Sequence, residues 1–281
     1  MSITRERSSI VFQRLERDLI KLSSKSVPEN IHRFRTATRR LQTLLQELSP
    51  ERGRKQKKLL KLLARLRKRA GKVRDVDVQL AALRDLKFSR EPRRKTQLVH
   101  HLIELRNENE KKLRKALDKA TLREVKKRLK RAEDDFDPAA TLDALTVARR
   151  MLEQVEHRQT ALSEQALHRY RIAGKRARYA AEFAAKSAKA SQMVGELKQL
   201  QDALGDWRDW LTLAQTATDQ LGDVRESPLV AEIRNVSGAK FHHAVTVLSQ
   251  VRARLSLDHK RAVPTLTRAS AKGAAPIDSA A

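Results

Sequence analysis

The chain of 281 residues contains no cysteine, and its glycines (8) and prolines (7) are few. Without cysteine, a disulfide framework, a thiolate nucleophile and a cysteine-ligated zinc site are excluded. The scarcity of glycine and proline predicts few sharp turns and long secondary-structure elements. Aromatic residues make up only 4% of the chain, which argues against a β-sandwich or β-barrel. We therefore expect an all-α protein.

Long apolar runs are also missing. No segment approaches the 18 consecutive apolar residues that indicate a membrane-spanning helix. The N-terminal segment MSITRERSSIVFQRL is charged and amphipathic, and it lacks the apolar centre of a signal peptide. These features predict a soluble, cytoplasmic protein with no membrane partner.

Positive charge is present in large excess, with 61 basic against 34 acidic residues and a net charge of +27. The excess is uneven: residues 1–138 contain 40 basic and 19 acidic residues, and residues 139–281 contain 21 and 15. A compact protein with this charge repels itself, so the composition favours a polyanionic partner. A basic surface that is merely solvated is the plainer alternative.

Two pairs of segments indicate an internal duplication. The segment IHRFRTATRRLQTLL (31–45) matches LHRYRIAGKRARYAA (167–181) with five identities in fifteen positions. The segment LARLRKRAGKVRDV (63–76) matches LKQLQDALGDWRDW (197–210) at nearly the same offset. Two matches in the same order are typical of repeated supersecondary units. We expect one domain over residues 1–258, with repeats at 1–136 and 137–258, and a disordered basic tail over 259–281.

Each copy of the first motif predicts an amphipathic helix with a cationic stripe. At about 100° per residue, His32, Arg35 and Arg39 share one narrow stripe, opposite the apolar face that contains Phe34. The stripe of the second copy consists of His168, Arg171, Lys175 and Arg178, and Arg40 and Arg176 flank the two stripes. Like charges four residues apart destabilise a helix by a few tenths of a kcal/mol. The stripes therefore indicate a bound anion.

The next predicted helix carries a second cationic row. The row consists of Lys57, Lys61, Arg65, Lys68 and Lys72. If this row packs beside the first motif, the two form a groove of guanidinium and ammonium groups, which suit phosphate oxygens. Each motif histidine lies in the first two turns of its helix, near the positive end of the helix dipole, which also favours an anion. We expect these histidines to be neutral when free and to gain a proton when an anion binds.

Plainer interpretations exist for each feature. A single histidine on a helix is more often structural, and a basic stripe is more often only solvated. The same His–Arg–(Arg or Lys) pattern in both copies favours anion binding, because a solvated face has no reason to keep its residue types.

The motifs IHRFRTATRRL and LHRYRIAGKRARY, followed by GKVRDVD and LQDALGDWRD, resemble the CHAD domain, the conserved histidine α-helical domain. The resemblance covers about residues 1–258. It implies two four-helix bundles related by a pseudo-twofold axis, with a basic groove or pore between them. It also implies binding of inorganic polyphosphate and, in some members, association with polyphosphate granules. The implied binding residues are His32, Arg35, Arg39, Arg40, His168, Arg171, Lys175, Arg176 and Arg178.

Two other binding functions are compatible with the same basic surface. A single-stranded nucleic-acid binder needs aromatic side chains on which bases stack, and aromatics are few here. Trp207 and Trp210 are better interpreted as core residues, so we expect at most weak nucleic-acid binding. A scaffold that docks an acidic protein or a granule surface is the other alternative, and it is compatible with polyphosphate binding.

An enzyme is the third alternative, and the chain lacks its usual signals. There is no complete phosphate-binding GxxxxGK[ST] loop, and the remaining histidines lack a metal-ligand spacing that both halves share. Those histidines are His100, His101, His157, His242, His243 and His259. Magnesium ligation by Asp75 and Asp77, or by Asp202, Asp206 and Asp209, is conceivable. We instead expect Arg74–Asp75 and Arg208–Asp209 to form ion pairs or caps at helix junctions, beside a bend or close contact at Gly71 and Gly205. The prediction is a protein without catalytic activity, cofactor or metal.

Overall fold

The computed structural model describes residues 3–49, 53–156 and 163–262, and every regular element in these ranges is helical. The helices are α1 (Arg5–Ser24), α2 (Pro28–Thr43), α3 (Arg54–Asp85), α4 (Pro92–Ala116), α5 (Lys119–Asp134), α6 (Ala144–Glu156), α7 (Glu164–Ala181), α8 (Ala188–Leu221) and α9 (Pro228–Ala262). A π-helical turn at Leu44–Leu48 continues α2. The all-α prediction is confirmed for the described residues. None of the helices in these ranges has a stretch apolar enough to span a lipid bilayer.

Several helices begin at side chains that cap free backbone amides. The Thr4 hydroxyl accepts from the backbone NH of Arg7 at 3.3 Å, and the Ser163 hydroxyl accepts from that of Ala166 at 3.2 Å. The Ser187 hydroxyl caps α8 in the same way. These bonds satisfy amides that have no partner within the helix, and they fix where α1, α7 and α8 start.

Helices α3 and α8 run without interruption through Gly71 and Gly205. The expected helix junction beside each glycine is therefore wrong. Both Arg–Asp pairs lie in helix interiors, so neither aspartate caps a helix end.

The two halves of the chain pack their helices in corresponding order. In the first half α1 contacts α2, α2 contacts α3 and α3 contacts α4; in the second α6 contacts α7, α7 contacts α8 and α8 contacts α9. Across the halves, α2 contacts α7 and α3 contacts α8. The helices that carry the two copies of each motif are therefore neighbours.

Two apolar cores hold this arrangement together. The larger core contains residues of both halves, including Phe12, Phe34, Tyr170 and Trp207. A smaller core lies where the C-terminal ends of α3 and α8 meet α4 and α9, and it includes Leu83, Leu98, Leu213 and Leu229. Trp207 is only 1% exposed, which confirms its predicted place in the core.

Helix α9 extends beyond the expected end of the domain at residue 258. It continues to Ala262, and residues 263–281, which contain most of the predicted tail, lie outside the described residues. His157 also lies outside them.

Candidate anion-binding site

The apolar faces of α2 and α7 determine where their cationic stripes point. Ile31, Phe34 and Leu41 of α2 are fully buried, and Leu167 and Tyr170 anchor α7 in the same way. Burial of each such side chain stabilises the fold by about 1.5–3 kcal/mol. Because the stripe lies on the opposite side of each helix, packing of these residues turns the stripes away from the apolar cores.

The stripes of α2 and α7 share one electrostatic environment. Burial, together with the positive charges of Arg39 and Arg171, lowers the pKa of Lys175 to about 7. Burial and the charge of Arg67 lower the pKa of Arg39 to about 10. Arg35 contributes to the lowered pKa of Arg171, after burial and the charge of Arg208. Side chains from the two copies of the motif therefore face each other closely enough to repel.

Helices α3 and α8 add cations that the sequence did not predict as site residues. Arg67 and Arg74 of α3 act on Arg39 and His32, and Arg208 of α8 acts on Arg171 and His168. The site thus draws on four helices. We name as the cationic cluster the residues His32, Arg35, Arg39, Arg67, Arg74, His168, Arg171, Lys175 and Arg208.

Two carboxylates lie among these cations. Asp75 is 3.6 Å from the guanidinium of Arg35. Burial and the negative charge of Asp75 raise the pKa of Asp209 to about 6, against the opposing effect of Arg171 and Lys175. These two aspartates occupy matching positions in the two sequence motifs, and Asp209 is influenced by the charges of Arg171 and Lys175.

The cluster has far fewer carboxylates than cations. Among the described residues, Arg35 is the one cluster member with a carboxylate oxygen within 4 Å. The Nε groups of Arg67 and Arg171 are buried and have no acceptor within the described part of the chain. A buried donor without a partner costs about 1–3 kcal/mol, more if it is charged. The cluster is therefore electrostatically unsatisfied within the described residues.

Gly71 makes room for one of these cations. A Cβ at Gly71 would collide with the Nη1 atom of Arg35, so the guanidinium lies against the backbone of α3. This confirms the close contact predicted at Gly71. At the matching Gly205, a Cβ meets nothing within 4 Å, so neither a contact nor a bend explains that glycine.

The two motif histidines are exposed at the edge of the cluster. The pKa of His32 is lowered below 6.5 by partial burial and by Arg74, with a smaller contribution from Arg35. The pKa of His168 is lowered by partial burial, then by Arg171 and Arg208. Both side chains are therefore mostly neutral near pH 7 in the free protein.

Three predicted site residues have carboxylate partners instead. Arg40 contacts Glu182 at 2.8 Å, and Arg178 contacts the same carboxylate at 2.5 Å. Arg176 contacts Glu47 at 2.5 Å, across the boundary between the halves. These ion pairs neutralise one cation of the predicted stripes and both of the arginines that flank them.

The predicted row on α3 faces away from the cluster. Lys57, Lys61, Arg65, Lys68 and Lys72 are exposed, and none of them perturbs the pKa of a cluster residue. Helix α3 does pack beside α2, but it turns Arg67, Gly71 and Arg74 toward the site. These three residues recur every three to four positions and lie about 100° around the helix from the centre of the row. The row and the cluster residues therefore lie on different faces of α3, and polyphosphate binding by the row stays a prediction.

Aromatic side chains near the cluster do not offer a free face for stacking. Tyr179 is 4% exposed, and the guanidinium groups of Arg178 and Arg40 lie over its ring at 4.7 and 5.9 Å from the centroid. Trp207 packs edge to face against Phe241. In the parts of the chain that the structure describes, no group of three or more histidine, aspartate or glutamate side chains is arranged to hold a metal ion.

Known proteins provide an independent comparison. The CHAD domain model matches residues 12–218. The fold is similar to the crystal structure of the CHAD domain from the plant Ricinus communis, with a TM-score of 0.63 and 20% identity over 88% of this chain and 89% of that one. It is also similar to PptA from Streptomyces chartreusis, with a TM-score of 0.64 and 15% identity over 90% of this chain and 100% of that one. No curated protein matches the sequence significantly.

Proposed function

Because this chain belongs to the CHAD domain family, we propose that its cationic cluster binds inorganic polyphosphate. The observation that carries the proposal is the shortage of carboxylates: Arg35 is the one cluster cation with a carboxylate oxygen within 4 Å among the described residues. Folding brings these like charges together, which lowers the free energy of unfolding of the ligand-free protein. A ligand that supplies the missing negative charge recovers that cost, and this is the thermodynamic basis for tight anion binding.

The architecture of the proposed site is a basic groove between two four-helix repeats related by a pseudo-twofold axis. In this proposal α1 to α5 form the first repeat, with α4 and α5 together matching the long α9, and α6 to α9 form the second. The contacts of α2 with α7 and of α3 with α8 support it, because a twofold axis brings equivalent elements together. Matching residues are His32 with His168, Arg35 with Arg171, Arg39 with Lys175, Arg74 with Arg208, and Asp75 with Asp209.

The chemistry of the cluster fits a chain of phosphates better than it fits a nucleic acid. Polyphosphate carries about one charge per phosphate and has no bases. A guanidinium group binds two phosphate oxygens through two parallel hydrogen bonds, and the single lysine of the cluster adds a mobile charge. A single-stranded nucleic acid gains about 1–3 kcal/mol for each base stacked on an aromatic ring. The covered ring of Tyr179 and the buried Trp207 offer no such gain.

The proposed role is binding rather than catalysis, in the cytoplasm and at the surface of polyphosphate granules. Asp75 serves to hold the guanidinium of Arg35, which it contacts at 3.6 Å. Incubation with long-chain polyphosphate and Mg²⁺ tests this part of the proposal. The chain length of the polymer is expected to stay constant, and release of phosphate would identify an enzyme instead.

Calorimetric titration of a cluster variant tests the binding function. The variant combines Arg35→Gln, Arg39→Gln, Arg171→Gln and Lys175→Gln. A scattered control variant combines Lys87→Gln, Lys186→Gln, Lys189→Gln and Arg225→Gln, which removes the same charge from exposed positions. We expect the cluster variant to lose polyphosphate binding while it keeps the helical circular dichroism of the wild type, and the scattered control to bind like the wild type.

Three results would contradict the proposal. The first is full binding by the cluster variant, and the second is equal loss in the scattered control. The third is displacement of polyphosphate from the wild type by single-stranded DNA of equal charge concentration, which would favour a nucleic-acid binder. Unfolding of the cluster variant would assign these cations a structural role.

A further inference from the structure

The exposed face of α3 is strongly basic. Eleven of the 21 residues from Arg54 to Arg74 are lysine or arginine, and none is acidic. Five of them form the outward row that faces away from the cationic cluster. We call Lys57, Lys61, Arg65, Lys68 and Lys72 the α3 basic row.

The row has no carboxylate partners within the described residues. None of its five side chains forms an ion pair within 4 Å there. The charge of Arg65 makes only a small contribution to the lowered pKa of Asp118, after the hydrogen bonds from Thr121. On α4, by contrast, Arg106 and Arg114 contact Glu110, and Lys112 contacts Glu108. The chain therefore places acids beside its cations on α4 and omits them along the row, where the i, i+4 repulsion remains.

The row and the cluster lie on adjoining faces of one helix. Arg67, in the cluster, is followed directly by Lys68, in the row, and Lys72 precedes Arg74 of the cluster by two positions. An α-helix with its side chains is about 10–12 Å across, so a flexible polyanion crosses from one surface to the other over a single helix. The row itself extends for about 22 Å, from a rise of 1.5 Å per residue.

We infer that the α3 basic row is a second polyphosphate-binding surface, by which the protein selects chains long enough to occupy the cationic cluster and the row together. The inference rests on the proposed function of the cluster. A long chain that is held in the cluster presents its remaining phosphates to the row at a high effective concentration, so the second contact is intramolecular. A short chain fills the cluster and cannot reach the row.

We assign a phosphate chain to the row because its side chains supply positive charge without a fixed hydrogen-bond geometry. Four of its five members are lysines, which act as mobile point charges on flexible stems. Helix α3 contains no aromatic residue, so bases find no stacking partner on the helix that carries the row. A polymer of closely spaced charges gains from every lysine.

A row variant tests the inference. It combines Lys57→Gln, Lys61→Gln, Lys68→Gln and Lys72→Gln, and the scattered control described above matches its loss of charge. Affinity for tripolyphosphate and for long-chain polyphosphate is measured at several salt concentrations. We expect the row variant to bind tripolyphosphate like the wild type and long chains about tenfold or more weakly, with a flatter salt dependence because fewer counterions are released.

Each other outcome has a defined meaning. Equal losses for short and long chains in the row variant would make the row part of the cluster and overturn the inference. Unchanged binding of long chains, or the same loss in the scattered control, would also overturn it. A row variant that loses only single-stranded DNA binding would assign the row to nucleic acid. Failure of the wild type to bind either polyphosphate would refute the proposed function itself, which separates the two claims.

Discussion

The guanidinium of Arg35 occupies the space that the side chain of any other residue at Gly71 would need. Arg35 of the α2 stripe therefore lies directly against α3. Its guanidinium is 3.6 Å from the carboxylate of Asp75 on that helix. The matching Gly205 has no such neighbour. The matching glycines therefore have different surroundings. Substitution of each one by alanine distinguishes an effect on polyphosphate affinity from an effect on helix stability.

We predict that Gly71→Ala weakens polyphosphate binding without destabilising the fold. Alanine in a helix interior is favoured over glycine by about 1 kcal/mol, and the displaced atom belongs to the flexible end of a side chain. Arg35 has to move, and loss of one charge-assisted hydrogen bond of about 1.5 kcal/mol lowers the affinity about tenfold. Calorimetric titration and urea unfolding measure the two effects.

Gly205→Ala is the matched control for this prediction. Its Cβ enters open space in the matching helix, so the free energy of unfolding rises by a similar amount while the affinity stays the same. Equal losses of affinity in the two variants would show that Gly71 does not act through Arg35.

Acid is expected to strengthen binding. Lys175, with a pKa of about 7, and Asp209, with a pKa of about 6, both take up protons between pH 8 and pH 5.5. Each proton adds one positive charge to the cluster or removes one negative charge from it. We predict a rise in affinity of about tenfold or more over this range at constant ionic strength, with net proton uptake on binding. Affinity that is independent of pH would contradict the electrostatic account of the cluster.

Asp209 competes with the ligand for cluster cations, so Asp209→Asn is expected to tighten binding at pH 8. The folded-state pKa of Asp209 is raised above 3.8, and the ionised carboxylate therefore reduces stability as the pH rises from 3.8 through about 6. The variant should unfold at higher urea concentration than the wild type at pH 8, and this difference should shrink toward pH 4.

Asp202→Asn on the same helix is the control. Asp202 is exposed and contacts Lys198 at 3.0 Å, away from the cluster. It should change neither the affinity nor its pH dependence. Weaker binding by Asp209→Asn would instead mean that the carboxylate positions Arg171 and Lys175 for the ligand.

His32 is expected to contribute charge only when the ligand is present. Its pKa is lowered in the free protein by partial burial and by Arg74, so the imidazole is neutral at pH 8. A bound phosphate raises that pKa, so the histidine becomes a cation at a higher pH in the complex than in the free protein. We predict that His32→Ala costs more affinity at pH 5.5 than at pH 8. An equal loss at both pH values would indicate that His32 acts through shape or a neutral hydrogen bond.

Arg106 is an arginine that serves the fold. It donates to Asp77 at 2.7 Å, to Glu110 at 2.5 Å and to the carbonyl of Ser26 at 3.2 Å, which ties α4 to α3 and to the start of α2. Asp77 is buried, so removal of its partner leaves an uncompensated charge. We predict that Arg106→Ala lowers the free energy of unfolding by about 3 kcal/mol. Its polyphosphate affinity, measured below the unfolding transition, should equal that of the wild type; a selective loss of affinity would place Arg106 in the binding function.

Much of the fold follows from the amino-acid pattern. Few glycines and prolines and amphipathic periodicity predicted the helices, which the structure confirms for the described residues, while the two-repeat organisation stays a prediction. Local end signals were less reliable. In the sequence, Ser26 followed three residues later by Glu29 matches the capping-box pattern and predicts a helix start at Ser26. In the structure α2 begins after Val27 with Pro28 in its first turn, and Glu29 contacts Arg33 instead. Proline in the first turn has a helical φ angle and no backbone NH, so one fewer amide requires a side-chain cap.

The site was predicted less completely because packing decides which face of a helix turns inward. On α2 and α7 the apolar residues define that face clearly. On α3, lysines and arginines occur on several sides, and only contact with α2 distinguishes Arg67 and Arg74 from the α3 basic row. The match of Arg74–Asp75 with Arg208–Asp209 was a usable signal. The glycines Gly71 and Gly205 predicted helix junctions beside these pairs, but α3 and α8 continue through both glycines.

A crystal structure of the protein with a bound short polyphosphate tests the central claim most directly. The account predicts one phosphate chain between α2 and α7, with oxygens within hydrogen-bond distance of Arg35 or Arg39 on one side and of Arg171 or Lys175 on the other. Phosphates found only on remote surfaces, with the two motif helices each facing water, would contradict it.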